Sequence, residues 1–112
     1  MNSRKVRVPA TGVQVKLGPG TGDLINVSVS GALMRLDHEV EIGETWTLQL
    51  KPGDIELAAR TVRCSTTSAP GLPPTVQRWL VAVTFAEVSS ETARLIRELV
   101  AEMYQRTGAS TV

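Results

Sequence analysis

The run "NVSVSGALMRL", residues 26–36, decides the fold because it places small polar residues between two apolar, strand-like segments. The segment "DLINVSV" (23–29) precedes Ser30 and Gly31, and "ALMRL" (32–36) follows Gly31 directly. A serine and a glycine at such a point are typical of a turn between antiparallel strands. The run therefore predicts a hairpin, and the flanking segments indicate what kind of sheet contains it.

The segments on both sides repeat the strand pattern at intervals of roughly ten residues. Apolar and polar residues alternate in "TGVQVKL" and in "TWTLQL", as in strands with one buried face. The segment "WLVAVTFA" is apolar on both sides, which favours a central position in the sheet. The predicted strands cover residues 11–17, 23–29, 32–36, 45–50, 55–64 and 79–86. Six short strands in this arrangement predict a small six-stranded antiparallel β-barrel.

The last part of the chain changes from strand to helix periodicity. The segment "STTSAPGLPPTVQR" (65–78) contains three prolines and no apolar period, so a surface loop is predicted there. In "SSETARLIRELVAEMYQRTG" (89–108), Ser89 or Ser90 is the expected N-cap and Gly108 follows the end. Apolar residues recur at helical spacing at Leu95, Ile96, Leu99, Val100 and Met103. The sequence thus predicts an all-β barrel with one C-terminal amphipathic α-helix.

The 112 residues are predicted to form one domain with its own core. Residues 1–8 are expected to form a flexible basic arm, residues 9–106 the barrel with its helix, and residues 107–112 a frayed tail.

The arm is basic although the total charge of the chain is nearly balanced. Four basic residues, Arg4, Lys5, Arg7 and Lys16, precede the first acidic residue, Asp23. The arm is therefore a positively charged segment that would attract anions, and the rest of the domain is mildly acidic. The balanced total does not indicate a general nucleic-acid binder.

The residue types that enzymes and metal sites need are sparse. His38, the only histidine, lies in the acidic turn "LDHEVE" without a neighbouring nucleophile, so a solvated histidine is predicted. The surrounding acids lack the spacing of a calcium loop, and "LGPGTGD" lacks the lysine and following helix of a phosphate loop. Cys64 alone makes neither a disulfide nor a zinc site and is predicted to be a buried small hydrophobe. The sequence predicts no enzyme activity, no metal and no cofactor.

A cytoplasmic location is expected. The chain has no apolar stretch near the roughly 20 residues that span a bilayer. Its start, "MNSRKVRVPA", lacks the hydrophobic core of a signal peptide. A lone cysteine also fits a reducing compartment.

The polar residues around the predicted turn allow two interpretations. Asn26 can donate and accept hydrogen bonds, Ser28 adds a hydroxyl, and strand alternation would put residues 26, 28 and 30 on one side. Gly31 would let the backbone approach something flat, such as a nucleotide base. The alternative is that Asn26, Ser28 and Gly31 only satisfy the turn.

The run "NVSVSGALMRL" resembles the second signature motif of PilZ domains, which is Asp or Asn, any residue, Ser, two residues, then Gly. The flanking segments are similar to the family as well. "VRVPATGVQVKL" resembles its opening strand, "VEIGETWTLQL" its middle strands, and "WLVAVTFAEVSSETARLIRELV" its last strand and closing helix. The resemblance covers residues 4–104 and implies the six-stranded PilZ barrel.

PilZ domains are known as bacterial receptors for cyclic di-GMP. The resemblance implies that Asn26, Ser28 and Gly31 contact a guanine edge and a nearby phosphate, while basic residues of the arm wrap the dinucleotide. The implied ligand-binding set is Arg4, Lys5, Arg7, Asn26, Ser28 and Gly31. Closure of the arm over the ligand would re-aim it against an effector protein or an attached domain.

The arm departs from the family pattern at one position. The family motif has two arginines four places apart, of which Arg7 fits the second, whereas Ser3 occupies the first. Arg4 is one residue late, and Lys5 shares the side of Arg7 but lacks the forked guanidinium. A charge-assisted hydrogen bond contributes roughly 1.5–3 kcal/mol. Losing one arginine's contacts would therefore weaken binding by about ten- to hundredfold.

Two other functions are compatible with the sequence. A PilZ-like adaptor would not bind the nucleotide and would act through protein–protein contacts. A barrel that binds nucleic acid has the basic arm in its favour, but Trp46 and Trp79 are predicted to be buried in strands, which leaves few aromatic side chains for stacking. The intact set of Asn26, Ser28 and Gly31 favours the cyclic di-GMP receptor.

Overall fold

Seven strands and one helix form the part of the protein that the computed structural model describes, residues 7–67 and 77–106. The elements are β1 (Val8–Pro9), β2 (Gln14–Leu17), β3 (Gly20–Val27), β4 (Gly31–Leu36), β5 (Thr45–Lys51), β6 (Ile55–Thr67), β7 (Arg78–Ala86) and α1 (Ser90–Arg106). The strands form one antiparallel sheet in the order β1-β3-β2-β5-β6-β7-β4, and a further β3–β4 pairing closes six of them into a barrel. The predicted six-stranded antiparallel barrel with one C-terminal helix is confirmed.

The strand order explains two features of the sequence. β3 and β4 form the predicted hairpin, in which Val27 is opposite Ala32. β7 lies between β4 and β6, as its apolar character on both sides predicts. Even Ala82, which alternates with the inward-facing Val81 and Val83, is only 4% exposed.

The barrel interior is filled by every second residue of the strands. The alternating leucines and the methionine of β2, β4 and β5 are completely buried. They are Leu17, Met34, Leu36, Leu48 and Leu50. Burial of one such side chain stabilises the fold by roughly 1.5–3 kcal/mol, so the alternating pattern alone is enough to determine which strand face points inward.

α1 packs against the barrel through its predicted apolar stripe. Ile96, Leu99 and Met103 are buried in the core, and Leu95 and Val100 pack against it. Ser89 is the N-cap, because its hydroxyl oxygen accepts the backbone N–H of Thr92 at 3.1 Å. Within residues 7–67 and 77–106, no helix is long and apolar enough to cross a membrane.

The predicted surface loop at 65–78 begins too early. Ser65, Thr66 and Thr67 extend β6 and pair with the first residues of β7, so the antiparallel ladder overrides their polar character. Residues 68–76 lie outside the described part of the chain.

Trp46, predicted to be buried, is 36% exposed. It is near the start of β5, and its indole lies against Gly18, where a Cβ would come within 2.7 Å of the ring. Trp79 and Cys64, also predicted to be buried, both pack against the core but are only partly buried.

Candidate ligand-binding site

Arg7 and Asn26, nineteen positions apart in sequence, meet on the outer surface of the barrel. Nη1 of Arg7 donates a hydrogen bond to Oδ1 of Asn26 at 3.2 Å. β1 makes this contact possible, because Val8 and Pro9 pair with Val27 and Asn26. The Arg7 side chain is exposed, so its guanidinium is also accessible to solvent. The predicted arginine and asparagine thus form one exposed pair.

A β-bulge in β3 directs Asn26 outward. The register shifts between Leu24 and Asn26, which leaves Ile25 as an extra residue in the strand. Leu24 and Val27 are both buried although they are three positions apart, which regular alternation does not allow. The extra residue of the bulge shifts the alternation by one position, so Leu24 and Val27 can both point inward. Asn26 therefore faces outward beside the buried Val27. The Nδ2 group of Asn26 makes no hydrogen bond with the other described residues.

Ser28 begins the short turn between β3 and β4 and is only 2% exposed. Its hydroxyl oxygen accepts the backbone N–H groups of Ser30 and Gly31, each at 3.2 Å. Its own backbone N–H donates to the Gly31 carbonyl oxygen at 2.9 Å. Because buried backbone donors need acceptors, the Ser28 hydroxyl determines the shape of this turn.

Gly31 lets β4 pack tightly against β7. A Cβ at this position would lie 2.4 Å from the carbonyl oxygen of Val83. Gly31 is not among the described residues with positive φ, so its backbone conformation does not itself require glycine. The close approach that the sequence suggests at Gly31 is therefore explained by a neighbouring strand.

The expectation that residues 26, 28 and 30 share one exposed side is wrong. β3 ends at Val27, so strand alternation stops before Ser28. Asn26 faces outward, the Ser28 hydroxyl points into the turn, and Val29 at the tip is 49% exposed. Direct contact of Ser28 or Gly31 with a ligand stays a prediction.

The rest of the predicted arm lies mostly outside the described residues. Arg4 and Lys5, together with Ser3, belong to that part, so their role in ligand binding stays a prediction. Val8, which the sequence assigns to the arm, is part of β1 and is 2% exposed. The chain therefore enters the sheet directly after Arg7. Arg7 immediately precedes β1, which is paired with β3.

Side-chain hydrogen bonds of Asp37 link the turn after β4 to the start of β3. Its carboxylate accepts hydrogen bonds from Nδ1 of His38 at 2.9 Å, from the Thr21 N–H at 2.9 Å and from the Thr21 hydroxyl at 3.2 Å. The His38 hydrogen bond, followed by that of the Thr21 N–H, lowers the pKa of Asp37 from 3.8 to about 2. His38 is 56% exposed, as predicted for a solvated turn residue. In the described ranges, no three His, Cys, Asp or Glu side chains cluster as metal ligands.

A row of outward-facing residues continues from Asn26 across the neighbouring strands. Asn26 is opposite Leu33 in β4, Leu33 is opposite Ala82 in β7, and Ala82 is opposite Arg63 in β6. The sequence interpretation did not include Arg63. Only the strand register places it level with Asn26, and the bulge at residues 61–63 shifts that register.

A shallow depression of about 450 Å³ lies over β2, the first half of β3 and β5. Lys16, Asp23 and Lys51 are among its lining residues. Neither Arg7 nor Asn26 lines it, so it is separate from the pair that joins the arm to the barrel.

The comparisons with known proteins give one family match and two similar folds. The sequence matches the PilZ domain over residues 2–102, whereas no curated protein gives a significant sequence match. Among solved structures, the PilZ domain of YcgR from Escherichia coli with c-di-GMP is similar with a TM-score of 0.74 and 15% identity over 100% of both chains. The inhibitor of motility from Bacillus subtilis (MotI/DgrA) has a TM-score of 0.65 and 18% identity, over 96% of this chain and 51% of that chain. The chain therefore belongs to the PilZ domain family, a family of cyclic di-GMP receptors.

Proposed function

We propose that this domain binds cyclic di-GMP and acts as a cytoplasmic signalling receptor. The hydrogen bond between Arg7 and Asn26 carries the proposal, because it brings the arm and the barrel motif to one exposed point. Cyclic di-GMP offers phosphate anions and guanine edges, for which a guanidinium and a carboxamide are suitable partners. Membership of the PilZ family supports the same ligand class.

Arg7 and Asn26 are the direct contacts in this proposal. Arg7 would donate two parallel hydrogen bonds to a phosphate or to the O6 and N7 atoms of guanine, and its plane can stack on a purine. Asn26 would contact the guanine edge beside it, since its Nδ2 donors are not used by other described residues. The Arg7 hydrogen bond would hold the carboxamide in place before the ligand arrives.

The remaining motif residues would shape and charge the site. Ser28 and Gly31 would present the turn next to Asn26, through the hydrogen bonds and close packing described above. Arg4 and Lys5 would add positive charge from the arm as it closes over the ligand, which offsets the loss of the arginine replaced by Ser3. Closure of the arm would then signal to an effector protein or an attached domain.

Isothermal titration calorimetry with cyclic di-GMP tests the proposal. Arg7→Ala and Asn26→Ala should each weaken binding about tenfold or more, because each removes polar contacts to the ligand. Arg97→Ala is the matched control, since Arg97 is exposed on α1 and its removal changes the net charge by the same amount as Arg7→Ala. All three variants should keep the wild-type unfolding midpoint. Wild-type affinity in both the Arg7 and the Asn26 variants would contradict the proposal.

A protein-binding adaptor that does not bind the nucleotide is the second candidate. Ser3 at the first arginine position of the motif favours it. An adaptor predicts that cyclic di-GMP causes no chemical shift changes in the domain. It also predicts a specific protein partner that binds the Arg7→Ala variant as tightly as the wild type.

A further inference from the structure

We propose that the shallow depression over β2, β3 and β5 is a separate binding site, which takes a small phosphate monoester that also carries a protonated amine. We call it the β2–β5 depression. Its polar side chains include Gln14, Lys16, Asp23, Gln49 and Lys51. The phosphate would bind between the two lysines and the amine would bind at Asp23. The inference goes beyond the proposed function and does not depend on it.

Strand register determines how these side chains are arranged. On β2, Gln14 and Lys16 are exposed on either side of the buried Val15, so both face outward. Gln14 is opposite Lys51 on β5, and Lys16 is opposite Gln49. The two lysines are therefore diagonal neighbours, with backbones about 7–8 Å apart. Their long side chains can reach one ligand group from two sides.

Both lysines lack an anionic partner. Lys16 and Lys51 form no ion pair within residues 7–67 and 77–106. By contrast, Arg94 and Arg106 on α1 pair with glutamates one turn away. Two neighbouring positive charges repel each other, and an anion bound between them relieves that repulsion. A phosphate monoester suits this position, because its three terminal oxygens can accept hydrogen bonds from two ammonium groups and a side-chain amide.

Asp23 makes the β2–β5 depression unsuitable for a plain anion. It lies on β3 opposite Gln14, is exposed, and forms no ion pair with another described residue. Its carboxylate would repel a phosphate that brings no positive charge of its own. The same carboxylate would attract an ammonium group. Asp23 therefore favours a ligand that carries an amine as well as a phosphate.

A smaller depression of about 220 Å³ over β5 and β6 adds acidic residues on the other side of the lysines. Gln49 and Lys51 line both depressions, and Asp54 and Glu56 line only the smaller one. Nε2 of Gln49 donates a hydrogen bond to Oε2 of Glu56 at 2.9 Å. Acidic side chains thus border the lysines on both sides. Such a surface is complementary to a zwitterion and disfavours a polyanion.

The size and depth of the β2–β5 depression indicate a small, weakly bound ligand. Its volume of about 450 Å³ is within the roughly 300–1,000 Å³ of small-molecule sites. Gly22, which has no side chain, is part of its lining. A Cβ at Gly22 would overlap the carbonyl oxygen of Arg35, so the pairing of β3 with β4 keeps this position free of a side chain.

An amide NMR titration of the domain with glucosamine 6-phosphate tests the proposal. Glucose 6-phosphate is the matched probe, because it has the same phosphate but no amine. Glucosamine 6-phosphate should shift the signals of Gln14, Lys16 and Gln49 with a dissociation constant of about 1 mM or tighter. Glucose 6-phosphate should bind about threefold more weakly or less tightly still. The signals of Arg7 and Asn26, which do not line the depression, should not move.

Three variants assign the two charged contacts. Lys16→Gln and Lys51→Gln should each weaken the binding of both sugar phosphates about fivefold. Asp23→Asn should remove the preference for glucosamine 6-phosphate over glucose 6-phosphate. Arg97→Gln on α1 is the charge-matched control for the lysine variants and should bind like the wild type. All four residues are exposed, so the variants should keep the wild-type unfolding midpoint.

Three results would overturn the proposal. One is the absence of saturable shifts in the β2–β5 depression up to about 10 mM glucosamine 6-phosphate. Another is equal affinity for the two sugar phosphates, and the third is a loss of affinity in Arg97→Gln as large as that in the lysine variants. None of these results contradicts cyclic di-GMP binding, which is tested at Arg7 and Asn26. Failure of cyclic di-GMP to bind would likewise leave this site unaffected.

Discussion

Ser28 and Gly31 stabilise the fold at the point where the family motif lies. The Ser28 hydroxyl accepts two backbone N–H groups in the turn, and Gly31 allows β4 to approach β7. Substitutions at these positions are therefore expected to destabilise the barrel, whether or not the residue contacts a ligand. Loss of nucleotide binding in such a variant is informative only when its stability is measured as well.

Gly31→Ala should destabilise the domain by at least about 2 kcal/mol, because the new Cβ would overlap the Val83 carbonyl oxygen and force two strands apart. Urea unfolding followed by fluorescence measures the effect. Gly43→Ala is a useful comparison, since a Cβ at Gly43 would meet no atom within 4 Å although its φ is positive. An unfolding free energy for Gly31→Ala within about 0.5 kcal/mol of the wild type would contradict the packing role.

Ser28→Ala should cost about 1–3 kcal/mol of stability, because it leaves the N–H groups of Ser30 and Gly31 without their acceptor. Ser30→Ala is the control, since among the described residues the Ser30 hydroxyl has only a 3.4 Å contact with Ser28 Oγ. Equal unfolding free energies for the two variants would show that the Ser28 hydroxyl does not hold the turn.

Thr61 offers a stabilising substitution. It is completely buried, and its hydroxyl has no hydrogen-bond partner among the described residues. Thr61→Val should raise the unfolding free energy by about 1 kcal/mol, because it removes an unpaired buried polar group at nearly constant shape. The same change at the exposed Thr47 on β5 should have little effect. Destabilisation by Thr61→Val would mean that the hydroxyl is satisfied in solution.

At the scale of secondary-structure elements, Asp37 links β3 to the turn after β4 through a pH-dependent contact. Its pKa of about 2 in the folded domain is below the ordinary 3.8. The carboxylate therefore stabilises the fold fully above pH of about 4, and this contribution is lost as the pH falls towards about 2. The difference in unfolding free energy between wild type and Asp37→Asn should shrink over this range. A difference that is constant from pH 6 to about 2 would exclude the linkage.

Elements with a clear apolar period could be predicted from sequence, and those without one could not. β2, β5 and α1 follow alternation or helical spacing because one face of each is buried in the core. β1 is only Val8–Pro9 and is defined by its pairing with β3, which no local pattern reveals. Residues 65–67 look like a loop because they are polar. They form a strand because β7 supplies the partners for their backbone hydrogen bonds.

At the scale of the whole molecule, the barrel brings together residues that are far apart in sequence. The motif resemblance was sufficient to select Arg7 and Asn26, and the structure brings them into contact. It could not show that Ser28 is buried, because the bulge in β3 and the end of the strand at Val27 are consequences of tertiary pairing. The placement of Arg63 level with Asn26 could not be predicted either, since it depends on the register of four strands.

The most direct measurement is isothermal titration calorimetry of the wild-type domain with cyclic di-GMP, at low and at physiological salt, with GMP as the control ligand. Since forked hydrogen bonds persist in salt better than long-range attraction does, we expect binding of about micromolar strength or tighter at both salt concentrations. GMP should bind much more weakly. No detectable heat with cyclic di-GMP at concentrations near about 1 mM would contradict the receptor function and leave the protein-binding adaptor as the function to test.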